Sequence, residues 1–522
     1  MNEVKVVLEN LKKVANEENL NEIFNFSDVA YHKFLFNVAK DFFIFLEKSK
    51  QEEVIFESAA VSRISSFTRI RITIKLLLRL TVIHFKYLIF SLLFRILNKR
   101  PIKKIENGGI KYLFVSPLGR LNLERLYKFS PNESLHLYLP SANFSYLKKL
   151  SRRNDRFFER NEFVINPMTP ALGVLKKLLR YAVGKQVGIE NFFEETAGKD
   201  KYIGFHKKLY LTLIRQYQAK VITGEIIEKF KDPIIILQND NGGLFLTLTE
   251  ELNKHGICNV HIQHGTFFSG NMEFIPPLSE YFFCCSEREK KIQINNGLDP
   301  ERVFVYGAPL QTNDDSIIQS GKKRPEFDII VLASRGYKSL TDERLKMLIA
   351  IKRKFKNKSL RLRHDPNACE SEKKRWEKAI PGYVISKKKR LSEDINSAAI
   401  VATFSADALI SCLRQHKKTV FCYKSTSKNG NIYDFLKDKP FIRLADTSDK
   451  LIEAIHYFSE ISDEAFRGMV DDKFVDYNFG VSDKDAINNK IFRQLSAIRK
   501  QKMADSAVLK KNESVYENGR PG

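Results

Sequence analysis

The stretch "PIIILQNDNGGLFLTLTEELNKHGICNVHIQHGT", residues 233–266, decides the fold. It holds two short apolar runs, PIIIL and NVHI, each closed by polar and glycine residues, with a helical pattern starting near Leu244 between them. Run, turn, helix and second run make one βαβ unit, which requires the two strands to lie parallel. PIIIL is apolar at every position, as a strand covered on both faces must be.

The same texture continues in both directions. YLFVS (112–116), LHLYL (135–139), YFFCC (281–285) and RVFVYG (302–307) read as further buried strands, and 168–230 as a long basic helical segment. A polar, basic linker, SGKKRPEF (320–327), separates them from a second series. That series comprises DIIVLAS (328–334), SLRLR (359–363), YVIS (383–386), AIVAT (399–403), TVFCY (419–423) and PFIRL (440–444). Helices are expected over 341–356, around Trp376, after Thr403, and over 447–459, 463–476 and 484–500. The fold class is therefore α/β: two Rossmann-like domains facing across a cleft, with a helical N-terminal extension. The expected divisions are 1–104 for the extension, 105–320 for an acceptor domain, 328–500 for a nucleotide-donor domain, and 501–522 for a disordered tail.

Composition agrees with several packed cores. The 522 residues are 43% apolar, and 87 Lys and Arg against 62 Asp and Glu leave a formal charge of +25. Such a charge suits a polyanionic partner: nucleic acid, a phosphorylated ligand or anionic lipid. Nucleic acid is set aside, because the chain lacks an interleaved basic and aromatic platform, zinc spacing or a recognition-helix motif. The six cysteines (258, 284, 285, 369, 412 and 422) show no CxxC spacing and read as small buried hydrophobes of a reducing compartment. The opening residues form an amphipathic pattern with no apolar core, so no signal peptide is expected and the protein is placed in the cytoplasm.

Residues 70–97, IRITIKLLLRLTVIHFKYLIFSLLFRIL, are the most apolar stretch, yet Arg71, Lys75, Arg79 and Lys86 interrupt it. At helical spacing these cations fall within roughly 80° of one another. Each costs about 2.5–3.5 kcal/mol at the centre of a spanning helix but gains about 1 kcal/mol at an anionic lipid surface. The segment therefore reads as lying on the inner face of the cell membrane, or else as a core helix with a solvated basic face.

In open α/β sheets ligands bind beyond the carboxyl ends of the strands, so four motifs there carry weight. QNDNGG (238–243) places Asp240 as a base or helix cap and Gly242 and Gly243 where backbone N–H groups can meet an anion. QHGT puts His264 and Gly265 on a turn, where the imidazole can take a proton, hold a phosphate or simply bond to backbone, whereas His261 sits mid-strand and reads as core. RLRHDP (361–366) concentrates Arg361, Arg363 and His364 as phosphate-binding donors, although an arginine there can equally pair with a carboxylate. TFSADALISCL (403–413) offers Thr403 and Ser405 at a helix start, either as a cap or as part of a phosphate site.

In this order, Gln-His-Gly-Thr, then Arg-x-Arg-His-x-Pro, then Thr-x-Ser, the motifs resemble the bacterial GT-B-type glycosyltransferases that build surface polysaccharides. The capsule polysialyltransferases, Kdo transferases and teichoic-acid glycerophosphotransferases are the nearest groups, and the likeness spans roughly residues 230–425. The resemblance to the polysialyltransferases implies Asp240 as base, His364 and Pro366 as the nucleotide motif, and Thr403 with Ser405 as a phosphate clamp. The glycerophosphotransferases instead imply His264 as base. This chain departs from the first pattern: Asn239 precedes Asp240, and Asp365 separates His364 from Pro366.

The resemblance implies transfer from a nucleotide sugar, CMP- or CDP-linked rather than UDP-linked, to a glycan or glycolipid acceptor. Transfer would be direct and inverting, with His and Arg in place of a metal, since the acidic run NDD (313–315) lies in a loop. No cofactor is expected. Polyol-phosphate transfer from CDP-glycerol or CDP-ribitol, nucleotide-sugar epimerisation on the same fold, and a non-catalytic membrane-surface scaffold stay open.

Overall fold

In the computed structural model the described residues are chiefly 26–35, 109–117, 133–139, 162–164, 199–237, 243–263, 277–307, 325–333, 338–365, 370–388, 390–423, 434–480 and 484–518, with scattered helical positions between 78 and 96. Two parallel sheets organise them. The first consists of β1 (Tyr112–Pro117), β2 (Ser134–Leu139), β3 (Glu162–Val164), β4 (Ile234–Leu237), β5 (Asn259–Ile262), β6 (Tyr281–Cys284) and β7 (Val303–Val305). Its order is β3-β2-β1-β4-β5-β6-β7, so the winding reverses between β1 and β4. The opening stretch forms the expected unit, with Ile236 beside Val260 and Leu237 beside His261 in parallel register.

The second sheet holds β8 (Phe327–Leu332), β9 (Leu360–Arg363), β10 (Val384–Ile385), β11 (Ala398–Thr403), β12 (Lys418–Cys422) and β13 (Ile442–Ala445). Its order, β10-β9-β8-β11-β12-β13, reverses between β8 and β11, and every pair is parallel. The two Rossmann-like sheets read from the apolar runs are thus present. The three-residue strand β3 was not foreseen, because three residues carry no period to detect.

Helices cover both faces of each sheet. On one face of the first, Ala219, Ile222 and Ile226 of α1 (Lys199–Lys229) and Leu248 and Leu252 of α2 (Gly243–Lys254) pack against Leu113, Val115, Ile235 and Leu237. Strand alternation sends Phe114, Ile236 and Val260 to the other face. The cover there comes from the far end of the chain.

After α3 (Glu287–Asn295), the second half adds α4 (Lys338–Lys354), α5 (Glu370–Ala379), α6 (Leu391–Asn396), α7 (Ala406–Arg414), α8 (Ser448–Glu460), α9 (Asp463–Met469), α10 (Asp472–Phe479) and α11 (Lys484–Asn518). Ile487, Ile491, Leu495 and Ile498 of α11, at helical spacing, are buried on the first sheet. Each contributes about 1.5–3 kcal/mol of apolar burial.

Three expectations are corrected. The division drawn at 328–500 moves, because α11 from Lys484 onward completes the core of the first sheet rather than the second. The tail expected to be disordered from 501 is helical to Asn518, since QKMADSAVLKKNESVYEN is rich in helix formers and meets no Gly or Pro before Gly519. The single helix expected over 463–476 is two: the backbone leaves the helix at Val470, and Asp471 restarts it by accepting from the Phe474 N–H at 3.0 Å.

Of the long helical segment expected over 168–230, residues 168–198 lie outside the described residues, and helix is seen from Lys199 to Lys229. In the N-terminal extension, residues 28–35 are helical and dock on α2, where Ser27 donates from its backbone N and its hydroxyl to the Glu250 carboxylate at 2.8 and 2.7 Å. Arg71, Lys75, Arg79 and Lys86 lie outside the described residues. Among the described residues no helix is long and apolar enough to cross a membrane.

Candidate functional site

The carboxyl end of β5 is held by a buried polar network. Tyr306, which follows β7, donates its hydroxyl to the Gln263 carbonyl at 2.5 Å, and the Cys285 N–H donates to Gln263 Oε1 at 3.2 Å and Glu289 Oε2 at 3.1 Å. Burial pushes the Tyr306 hydroxyl well above the usual tyrosine range, so it stays protonated and a donor. The residue immediately before His264 is thereby fixed. His264 and Gly265 themselves, with Asp240 and Gly242, lie outside the described residues.

Gly243 is described. It opens α2 at φ +64°, a left-handed conformation suited to glycine, and the Arg215 guanidinium carbon lies 3.7 Å from where a Cβ would stand. An arginine from α1 thus lies beside Gly243 at the start of α2. Arg215 gave no sequence signal, because only the packing of α1 against α2 brings it to this helix start.

On the second sheet, His364 directly follows β9 with its side chain nearly buried and its Nε2 3.2 Å from Glu377 Oε1 on α5. A carboxylate partner orients an imidazole by fixing which ring nitrogen faces it. Pro366 lies outside the described residues. Arg361 and Arg363 behave otherwise. Both guanidiniums reach the fully buried Asp394 on α6, Arg361 at 3.4 Å and Arg363 closer still, while Ser386 donates to the same carboxylate at 2.7 and 2.6 Å. Arg361 also lies 3.6 Å over the Phe327 ring, and Arg363 donates to the Lys388 and Arg390 carbonyls. Of the two uses open to these arginines, the structure shows pairing with a carboxylate, because a buried carboxylate needs cations as counter-charge.

Thr403 and Ser405 also bond locally. The Thr403 hydroxyl accepts from the Ser405 N–H at 3.1 Å and donates to the Ser405 carbonyl, and Ser405 caps α7 through Ala408 N at 3.5 Å. The capping alternative is therefore realised in the structure. Phe404, between them, is buried in the core of the second sheet.

Phe404 leads to a feature the motifs did not single out. A cavity of about 200 Å³ opens at the carboxyl ends of β11, β12 and β13, lined among others by Arg344, Phe404, Cys422, Tyr423, Asp446 and Thr447. The Arg344 guanidinium stands 5.1 Å over the Phe404 ring, and Thr447 caps α8 by accepting from Lys450 N at 3.3 Å. Asp446 pairs with Lys450 at 2.9 Å. Aromatic faces, a cation, a carboxylate and a helix amino end so converge at one strand edge. The signal for Tyr423, Asp446 and Thr447 was available, since each follows a strand that the apolar runs identify; Arg344 lies on α4 and was not discoverable that way.

The five described cysteines are buried and none is joined in a disulfide among the described residues, and burial raises the Cys258, Cys412 and Cys422 thiols to about 12, out of reach of thiolate chemistry at neutral pH. Cys369 lies outside the described residues.

No family model matches the sequence. No curated protein matches it either. Solved structures do resemble it. The UDP-GlcNAc 2-epimerase from Neisseria meningitidis bound to UDP-GlcNAc is 10% identical over 74% of this chain and 99% of its own, with a TM-score of 0.46. A glycosyltransferase from Rickettsia africae is 12% identical over 74% and 98%, with a TM-score of 0.45. An Anabaena protein in complex with UDP and glucose is 14% identical over 74% and 99%, also at 0.45. At this distance the likeness carries no argument about activity, and the functional reading rests on the residues of this chain.

Proposed function

We propose that the protein is a glycosyltransferase that moves a sugar from a nucleotide-activated donor to a surface-polysaccharide or lipid-linked acceptor. The observation that supports it most is the cavity at the ends of β11–β13, where the Tyr423 ring lines the wall beside Arg344, Phe404 and the amino end of α8. Pockets that enclose whole ligands measure roughly 300–1,000 Å³, so this one takes a single part of a nucleotide, its base or ribose-phosphate. His364, oriented by Glu377, stands at the end of β9 in the same sheet and offers a second hydrogen-bond donor towards the donor phosphate.

The chemistry then needs a base on the acceptor side, and Asp240 and His264 are the two candidates. A base takes the acceptor hydroxyl proton, the oxygen attacks the anomeric carbon in line, and the nucleotide leaves with its phosphate charge met by His364 and the helix amino end. The Tyr306–Gln263 hydrogen bond gives His264 a rigid root. The acceptor is a growing glycan or glycolipid, CMP- or CDP-linked donors are favoured over UDP-linked ones, and no cofactor is invoked.

Thermal melting of the purified protein with CMP-, CDP-, UDP- and GDP-activated sugars tests this reading. One donor class should raise the midpoint, and Tyr423→Ala should abolish that rise while leaving the unliganded midpoint near wild type. If no donor shifts the midpoint, the donor reading fails. Should the sugar of a bound nucleotide epimerise without acceptor, the transfer reading gives way to epimerisation.

A further inference from the structure

Leu78, Val82, Phe85, Ile89, Leu92 and Ile96 are all helical and all open to solvent, from 48% exposed at Ile89 to 70% at Ile96. At 100° per residue they fall within about 80° of arc, so by helical spacing these described apolar side chains share one solvent-exposed face. Exposed apolar surface of this continuity marks an interaction site. The sequence around it is one-sided in charge. Between residues 58 and 105 stand eleven Lys and Arg and no Asp or Glu. By spacing, Arg79, Lys86 and Arg95 fall about 80–100° to either side of the apolar centre line.

We propose that this face beds into the interface of an anionic lipid bilayer, with the helix axis in the membrane plane. The apolar side chains enter the boundary between head groups and acyl chains, while the flanking cations reach the lipid phosphates. Charge selects this occupant over a second copy of the chain. Two copies meeting here would bring eleven cations against eleven with no carboxylate between them, whereas an anionic membrane supplies the compensating charge. Lying in the plane is favoured over spanning, because a spanning helix would carry Arg79 and Lys86 into hydrocarbon. The inference stands independently of the transfer reading and would hold for a non-catalytic protein of this fold.

Flotation of the full-length chain with vesicles tests it. The protein should float with mixed phosphatidylcholine–phosphatidylglycerol vesicles, float poorly with phosphatidylcholine alone, and lose binding as salt is raised. Val82→Glu with Leu92→Glu should cut flotation by about tenfold or more, and Val82→Ser with Leu92→Ser should fall between, at unchanged melting temperature because both positions are exposed. Three results would overturn the proposal. The wild type could remain unbound to the mixed vesicles, or the double glutamate variant could bind as well as wild type. In the third, the substitutions would split a dimer in sedimentation while leaving vesicle binding intact, assigning the face to a second copy.

Discussion

His364 and Arg363 are neighbours in sequence and opposite in consequence. Strand alternation turns Arg361 and Arg363 to the side where Asp394 is buried, and His364, one residue further, escapes to the strand end and meets Glu377. Asp394→Asn should therefore cost stability and not donor recognition: about 3–5 kcal/mol from leaving the guanidiniums uncompensated, read as a drop in denaturant midpoint at unchanged m-value. His364→Ala should do the reverse, removing transfer by at least about two orders of magnitude with little change in melting. His264→Ala is expected to match it if the imidazole is the base, and turnover at the wild-type rate in either variant would take that residue out of the mechanism. The motif RLRHDP thus contained the right chemistry, but which of its cations are spent on the interior could not be read from RLRHDP, because Asp394 lies 31 positions away from Arg363.

At the scale of elements, the chain's return to the first sheet turns on one glycine. Gly480 ends α10 at φ +79°, and a Cβ there would stand 1.8 Å from the Cys285 carbonyl oxygen and 3.1 Å from the Gly307 Cα. Both obstacles are backbone, so neither can swing aside. Gly480→Ala should be destabilising by about 2 kcal/mol or more, from left-handed strain plus the displaced crossing, and chemical denaturation should show it as a lowered midpoint. A substitution tolerated at that position would mean that α10 and β6 do not approach this closely. The neighbouring contacts, Arg288 at 3.9 Å over the Phe435 ring and Lys291 over Tyr477, tie α3 to the second half of the chain along the same seam.

For the whole molecule, a chain that leaves the second sheet and returns through α11 to cover the first means that ligand binding at the second sheet should be felt as global stability. A donor at one hundred times its Kd would add about 2.7 kcal/mol by mass action, and the melting transition should move as one if α11 couples the halves. Two separate transitions, of which the donor shifts only one, would show that α11 does not unite them.

What the sequence determined by itself was the architecture. Apolar runs such as PIIIL and DIIVLAS, each bounded by turn residues and separated by helical spacing, admit only parallel strands with crossover helices, because local period and turn chemistry are properties of contiguous residues. It also marked the strand ends where chemistry belongs. Only the tertiary structure decided how these were used: that Arg361 and Arg363 serve Asp394, that Arg215 and Arg344 arrive from helices beside a helix start and a cavity, that Tyr306 secures Gln263, and that α11 covers the opposite domain. Each of those is a contact between residues distant along the chain, and its energy comes from burial and charge pairing that exist only once the sheets have assembled.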